Sequence, residues 1–208
     1  MKHLMLAILA MSILAGACRN KEKKSPIESL GDLKEAGEKI KEATDASTSK
    51  WEARKAKGDT MALPYKDLEA YLPEINGYTK DGEPKGSQMS MPGMGSYSQA
   101  EQRYKNGDKE IKVEIVDYNA AFQMFSAATA LYKMGYATED DTKKEAASDL
   151  GIKDVSAYES IYKKEQRGSL AVIAGDRFMI NIESNGSNDP DLLHSVAKSM
   201  KLSEMASK

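Results

Sequence analysis

Three methionines fall within six residues, at Met89, Met91 and Met94, in the run Gln88-Met89-Ser90-Met91-Pro92-Gly93-Met94-Gly95. Thioether sulfur is a soft ligand suited to Cu(I), and three sulfurs converging from a curled segment would make a trigonal site. Pro92 and the glycines let the segment curl, and Tyr97 is the nearby aromatic able to cap a bound ion. The alternative is packing. The chain holds 12 methionines, and methionine fills irregular gaps under loops.

The other residues with chemical potential are scattered. Glu139-Asp140-Asp141 would attract a hard cation, but it lacks the alternating ligands and turn glycine of a Ca²⁺ loop, so it reads as a solvated helix start. His194 follows the apolar pair Leu192-Leu193 and reads as a flanking histidine rather than a ligand or base. Asp176 and Arg177 read as a turn with a strand-flanking arginine. Gly-x-Ser-x-Gly, Gly-x-Gly-x-x-Gly and the P-loop pattern are absent from the sequence. The expectation is a protein without catalytic residues and without a cofactor, unless the methionines hold copper.

Cys18 is the only cysteine, and it closes an apolar stretch over residues 4–17 that follows the basic Lys2. A basic start, a short apolar run and small residues before a cut are the marks of a secretory signal peptide, here residues 1–17. A membrane span needs roughly 20 apolar residues, whereas Arg19, Asn20 and Lys21 stop this run early. The ending Leu14-Ala15-Gly16-Ala17-Cys18 resembles a bacterial lipobox, with Ala15 standing where leucine is usual. The resemblance implies that Cys18 is lipidated through its thiol and carries two or three acyl chains, palmitate among them. At about 0.8 kcal/mol per buried CH₂, that number holds firmly to a membrane. Arg19 in place of aspartate implies, by the same resemblance, the outer membrane, facing the periplasm or the cell surface. With Cys18 lipidated, no thiol is left for disulfides, thiolate catalysis or thiolate metal sites.

Charge is nearly balanced along the rest. Residues 19–59 carry 11 basic and 9 acidic side chains, and residues 60–208 carry 18 and 23. A nucleic-acid partner would call for a concentrated basic face, which this distribution lacks.

Residues 18–60 read as a lipidated tether and an amphipathic helical stalk. Ser25-Pro26 has the form of an N-cap followed by proline at the first helical position. Ile27, Leu30, Leu33, Ala36, Ile40 and Ala43 then recur at spacings of three and four, a narrow stripe with too few large side chains to form a core alone. The spacing predicts a helix over 27–57 that stands off the domain and is free to pair with an envelope partner, with Trp51 its one large anchor.

Residues 61–208 read as an α+β domain. A helix is expected over 65–72, ended by Pro73, then a short strand over 78–80. A hairpin over 98–105 and 110–118 is signalled by Asn106-Gly107-Asp108, with Ile111, Val113 and Ile115 alternating against Lys112 and Glu114. Helical periodicity covers 119–134, and a short helix is expected over 142–150. Strand patterns return over 157–164, 169–174 and 177–184, and Asn188-Asp189-Pro190 opens a last helix. The sum is an antiparallel sheet of about six strands in a (βββα)₂ order with the helices packed on it.

The run Leu72-Pro73-Glu74-Ile75-Asn76-Gly77-Tyr78, residues 98–104, Ile111-Lys112-Val113-Glu114-Ile115-Val116-Asp117 and Asp176-Arg177-Phe178 together resemble a loose group of uncharacterised bacterial envelope lipoproteins, over residues 63–202. The lysine- and methionine-rich composition is similar to that of Bacteroidota proteins. The group has no activity to carry over, so the resemblance implies a membrane-anchored lipoprotein with a non-catalytic binding or interaction domain. The alternative is a periplasmic Cu(I)/Ag(I)-binding protein, since the methionine run is similar to motifs of periplasmic copper-handling proteins.

Overall fold

The computed structural model describes residues 30–91, 95–133 and 137–208. Residues 1–29, with Cys18, and Met94 lie outside that range. The chain begins with α1 (Leu30–Ala56), followed by α2 (Tyr65–Glu69), β1 (Thr79–Lys80), β2 (Lys85–Met91), β3 (Gly95–Asn106) and β4 (Lys109–Asp117). A 3-10 turn (Asn119–Ala121) leads into α3 (Phe122–Lys133). The second half runs β5 (Thr138–Glu139), β6 (Lys143–Ser148), β7 (Val155–Tyr162), β8 (Arg167–Ala174), β9 (Phe178–Asn185), α4 (Pro190–Ser199) and α5 (Leu202–Ala206).

The nine strands form one sheet in the order β1-β3-β4-β9-β8-β7-β6-β5. β2 follows β1 along the same outer edge of β3, pairing Lys85 with Glu101 through Met91 with Gly95. Every pairing is antiparallel, including β4 with β9, which no tight turn joins. The α+β class therefore holds, with nine strands rather than six. β2 and β6 are the main additions. β2 has no apolar alternation to announce it, and it forms because β3 supplies a ladder of backbone partners. β6 replaces the helix expected over 142–150: the run Lys-Lys-Glu-Ala-Ala-Ser suits a helix, but pairing of all six residues with β7 overrides that preference.

The two faces of the sheet are covered differently. Ile111, Val113 and Ile115 of β4, Leu170 and Val172 of β8, and Ile180 and Ile182 of β9 point to one side and are fully buried. Leu68 of α2, Leu193 and Val196 of α4, and Leu202 and Met205 of α5 close over them. α4 starts as its sequence signals, with Pro190 in the first turn and the Asp189 carboxylate accepting from the Asp191 N–H. On the other side, Ile173 meets Phe122 and Phe125 of α3, with Trp51, Tyr118 and Tyr132 packed around them. Neighbouring strand residues point to opposite faces, so Ile173 beside Val172 places α3 opposite α4. Strand order runs nearly symmetrically about the β4/β9 pair, but a two-fold axis there would put both helices on one face. The (βββα)₂ expectation fails at that point.

α1 is not a free stalk. The Trp51 ring stacks on Phe122 at 5.3 Å between centroids, and its indole N–H donates to the Asn119 carbonyl at 3.1 Å. Arg54, buried, donates from Nε to Asn119 Oδ1 and from its other nitrogens to the carbonyls of Gly175 and Asp176. These contacts fasten the C-terminal half of the helix to the domain, leaving Lys34, Glu35 and Glu38 exposed nearer its start.

Candidate functional site

The residues singled out by sequence do not come together. Cys18 and Met94 lie outside the described residues. Met89 and Met91 sit two apart on β2. Met89 is half exposed, and its sulfur accepts a hydrogen bond from the Tyr97 hydroxyl at 3.4 Å, the residue directly across the β2/β3 ladder. The run read as a curled loop is thus a strand up to Met91. Asp140 caps its own turn instead of starting a helix: its carboxylate accepts from the Thr142 hydroxyl and from the Thr142 and Lys143 N–H groups. The hydroxyl first, then the two backbone donors, hold it down at about 2 against an ordinary 3.8.

His194 has partners that sequence reasoning missed. Its Nε2 lies 2.9 Å from Ser148 Oγ and 3.2 Å from Glu159 Oε2, and Lys144 Nζ approaches the other carboxylate oxygen of Glu159 at 3.4 Å. β6, β7 and α4 supply one member or more each. The residue types are those of a hydrolytic triad, but the geometry is not. A triad needs the serine on one ring nitrogen and the carboxylate on the other, so that a proton can be taken from one side while the other is held. Here one nitrogen serves both. Nε2 either donates to Glu159 or accepts from the serine, not both at once, so the two compete for one atom. The cluster acts as a polar clasp that pins α4 to the edge of the sheet.

A second polar group lies at the α1 junction. The Asp117 carboxylate, fully buried, receives Arg177 Nε and Nη2 at 3.0 and 2.7 Å together with the N–H groups of Asn119 and Leu63. Asp59 takes the remaining Arg177 nitrogen at 2.8 Å and accepts from Asn119 Nδ2 at 2.7 Å. Ser47 donates to Asp176, and Lys50 bridges Asp154 and Asp176 at 3.0 and 3.2 Å. Each charge in this group meets an opposite charge or a hydrogen-bond partner, so it locks α1 to the sheet, and the hollow of about 210 Å³ beside Lys50, Asp154 and Asp176 is edged by charges already engaged with one another.

The open chemistry lies on the sheet itself, beyond the end of α3. Reading across by register, Tyr158, Ala171, Asn181 and Glu114 form one row, and Ser160, Ser169, Glu183 and Lys112 the next. The short side chains of Ser160, Ser169 and Ala171 make the floor of a hollow of about 160 Å³, with Tyr132, Tyr158 and Glu145 to one side and Asn181 and Glu183 to the other. A second hollow of about 200 Å³ continues it past Ser169 and Glu183 to Tyr162, Arg167 and Gly168. Tyr132 and Tyr158 face each other at 5.1 Å, and the Arg167 guanidinium lies 4.1 Å over the Tyr162 ring. Ionic groups along the groove are neutralised in pairs, Glu145 with Lys143 at 2.6 Å and Glu183 with Lys112 at 3.0 Å. The result is a shallow channel, electrically balanced, rich in hydroxyl, amide and carboxylate groups, and edged by tyrosine rings.

No family model matches the chain, and no curated protein is similar to it. No helix among the described residues is long and apolar enough to cross a membrane.

Proposed function

We propose that the chain is a membrane-anchored envelope lipoprotein whose α+β domain is a non-catalytic binding module, with the tyrosine-edged groove across β7, β8 and β9 as its contact surface. The observation that carries the binding reading is this groove, left open where α3 ends and balanced in charge, while the Ser148-His194-Glu159 group is routed through a single ring nitrogen. The anchoring reading rests on the signal-peptide pattern and the lipobox-like ending at Cys18. The stretch of α1 with the exposed Lys34 and Glu38 is a further surface for an envelope partner, and Arg19 after the lipidated cysteine favours the outer membrane. The test has two parts. Palmitate should label the full chain and fail to label Cys18→Ser; labelling that persists removes the anchor. Screening the protein against hydrolase substrates should give no turnover, and turnover abolished by Ser148→Ala would overturn the non-catalytic reading.

A second reading, Cu(I) or Ag(I) binding through Met89, Met91 and Met94, is favoured by one observation: Met89 is half exposed and its sulfur already carries the Tyr97 hydroxyl. Equilibrium dialysis with Cu(I) tests it. Affinity unchanged when Met89, Met91 and Met94 are all replaced by leucine ends it.

A further inference from the structure

The two ends of the sheet are guarded unequally. At one end β5 covers part of β6, pairing Glu139 with Lys144 and Thr138 with Glu145, and that edge is rich in charge, with Lys143, Lys144 and Glu145. Short strands and charged side chains are the usual means of keeping a sheet edge from pairing with another chain. At the other end β2 runs for seven residues, and among the described residues its backbone pairs only with β3. Between Lys85 and Met91 the sequence is Gly86-Ser87-Gln88-Met89-Ser90, without a charge or a proline, and all five are exposed. One side of Gly86 is closed: a Cβ there would lie 2.2 Å from the Tyr65 ring, so α2 supports the strand from that face and keeps it flat against β3. Among the described residues no strand pairs with its outer row of N–H and C=O groups.

We infer that this edge pairs with β2 of a second copy of the chain, antiparallel about Gln88, extending two sheets into one across a two-fold axis. The occupant follows from self-complementarity. The midpoint of Lys85–Met91 is Gln88, so this register uses all seven residues, sets Gln88 opposite Gln88 and places each Lys85 opposite Met91 rather than opposite its own copy. Met89 then lies diagonally across from its counterpart, within reach of a long side chain. The strand has no net charge between Lys85 and Met91 with which to select a charged peptide. A C₂ contact of this kind closes on itself and does not grow into a fibre, because each copy's other edge is the guarded one. A seven-residue pair is small beside the roughly 1,200–2,000 Å² of a stable interface, so the dimer is weak in solution and gains from any confinement that raises local concentration. The pairing does not depend on what the groove binds or on whether Cys18 is lipidated.

Directly opposed residues of an antiparallel pair have Cα atoms about 4.5–5.5 Å apart, inside the span a disulfide bridges. The test is oxidative cross-linking of the full chain carrying Gln88→Cys, with the unsubstituted chain as the background for Cys18 and Glu139→Cys, on the short charged strand β5, as the control at the guarded edge. A covalent dimer of Gln88→Cys well above both controls is expected. Gln88→Lys and Gln88→Glu chains should each self-associate about fivefold more weakly in sedimentation, from like charges set opposite each other, and a mixture of the two should recover. Cross-linking no greater at Gln88 than at Glu139, capture of a different chain alone, or equal association of all the charge variants would overturn the inference.

Discussion

Arg177 and Asp117 show how one side chain can fix a fold and remain unread in sequence. The spacing around Gly175-Asp176-Arg177 marks a turn, and the turn is there, with Asp176 at φ +54°. What spacing cannot show is the partner, because Asp117 lies 60 positions away at the end of β4 and meets Arg177 only once β4 and β9 pair. The same holds for His194 with Glu159, where α4 crosses the sheet to make the contact. Removing one member of a buried, hydrogen-bonded ion pair leaves the other charge uncompensated, at a cost of about 3–5 kcal/mol. Arg177→Met and Asp117→Asn should each lower stability by about that much in urea unfolding. Combining Arg177→Met with Asp117→Leu should cost less than either loss alone would suggest, since no fully buried charge is left alone and Asp59, the other carboxylate on Arg177, is partly open to water. Full additivity would show that the pair does not act as a unit.

The elements divide by how their signals arise. The β3/β4 hairpin, β7 to β9, α3 and α4 were legible, because a turn signal or a strong apolar period fixes each one locally. β2, β6 and the placement of α1 were not, because long-range partners decide them. α1 reads as a thin amphipathic helix with nothing to bury, yet Trp51, Arg54, Ser47 and Lys50 all find receptors on the domain. Of the candidate site, the groove was not legible, since its rows exist only through the register of β7, β8 and β9. The Lys50 clasp on Asp154 gives the docking of α1 a defined pH range. Burial opposes the Lys50 charge, but its hydrogen bonds to Asp154 and Asp176 outweigh that and raise its pKa above 10.5. The hydrogen bond from Lys50, then its charge, lowers Asp154 below 3.8. The Asp154 contribution is therefore complete above its ordinary value and lost as pH falls through the lower folded one. The Lys50 contribution is complete below 10.5 and lost as pH rises through the higher folded value. Trp51 emission should stay constant between those limits and shift outside them, and Lys50→Met should flatten the part due to the clasp. A profile identical in the variant would assign the docking to the aromatic and Arg54 contacts alone.

At the scale of the whole molecule, one sheet carries both halves, and α1 is pinned to turns from each: Asn119 after β4, and Asp154 with Asp176 around β7 to β9. Unfolding should accordingly be a single event. Emission from Trp51, the chain's one tryptophan, and far-ultraviolet circular dichroism should trace coincident urea transitions. A tryptophan transition well ahead of the other would make α1 a separate, weaker unit.

The attachment of α1 also decides how the protein bears load. A pull on the N-terminal segment travels down the helix and enters the domain at Ser47, Lys50, Trp51 and Arg54, not at the end of a slack linker. Arg54 passes it to Asn119, whose N–H rests on Asp117, the partner of Arg177. Tension therefore arrives at the ends of β4 and β9, at the centre of the sheet, where several polar contacts share it. Neither edge strand lies in that line, so β2 would keep its open side while the chain is held taut.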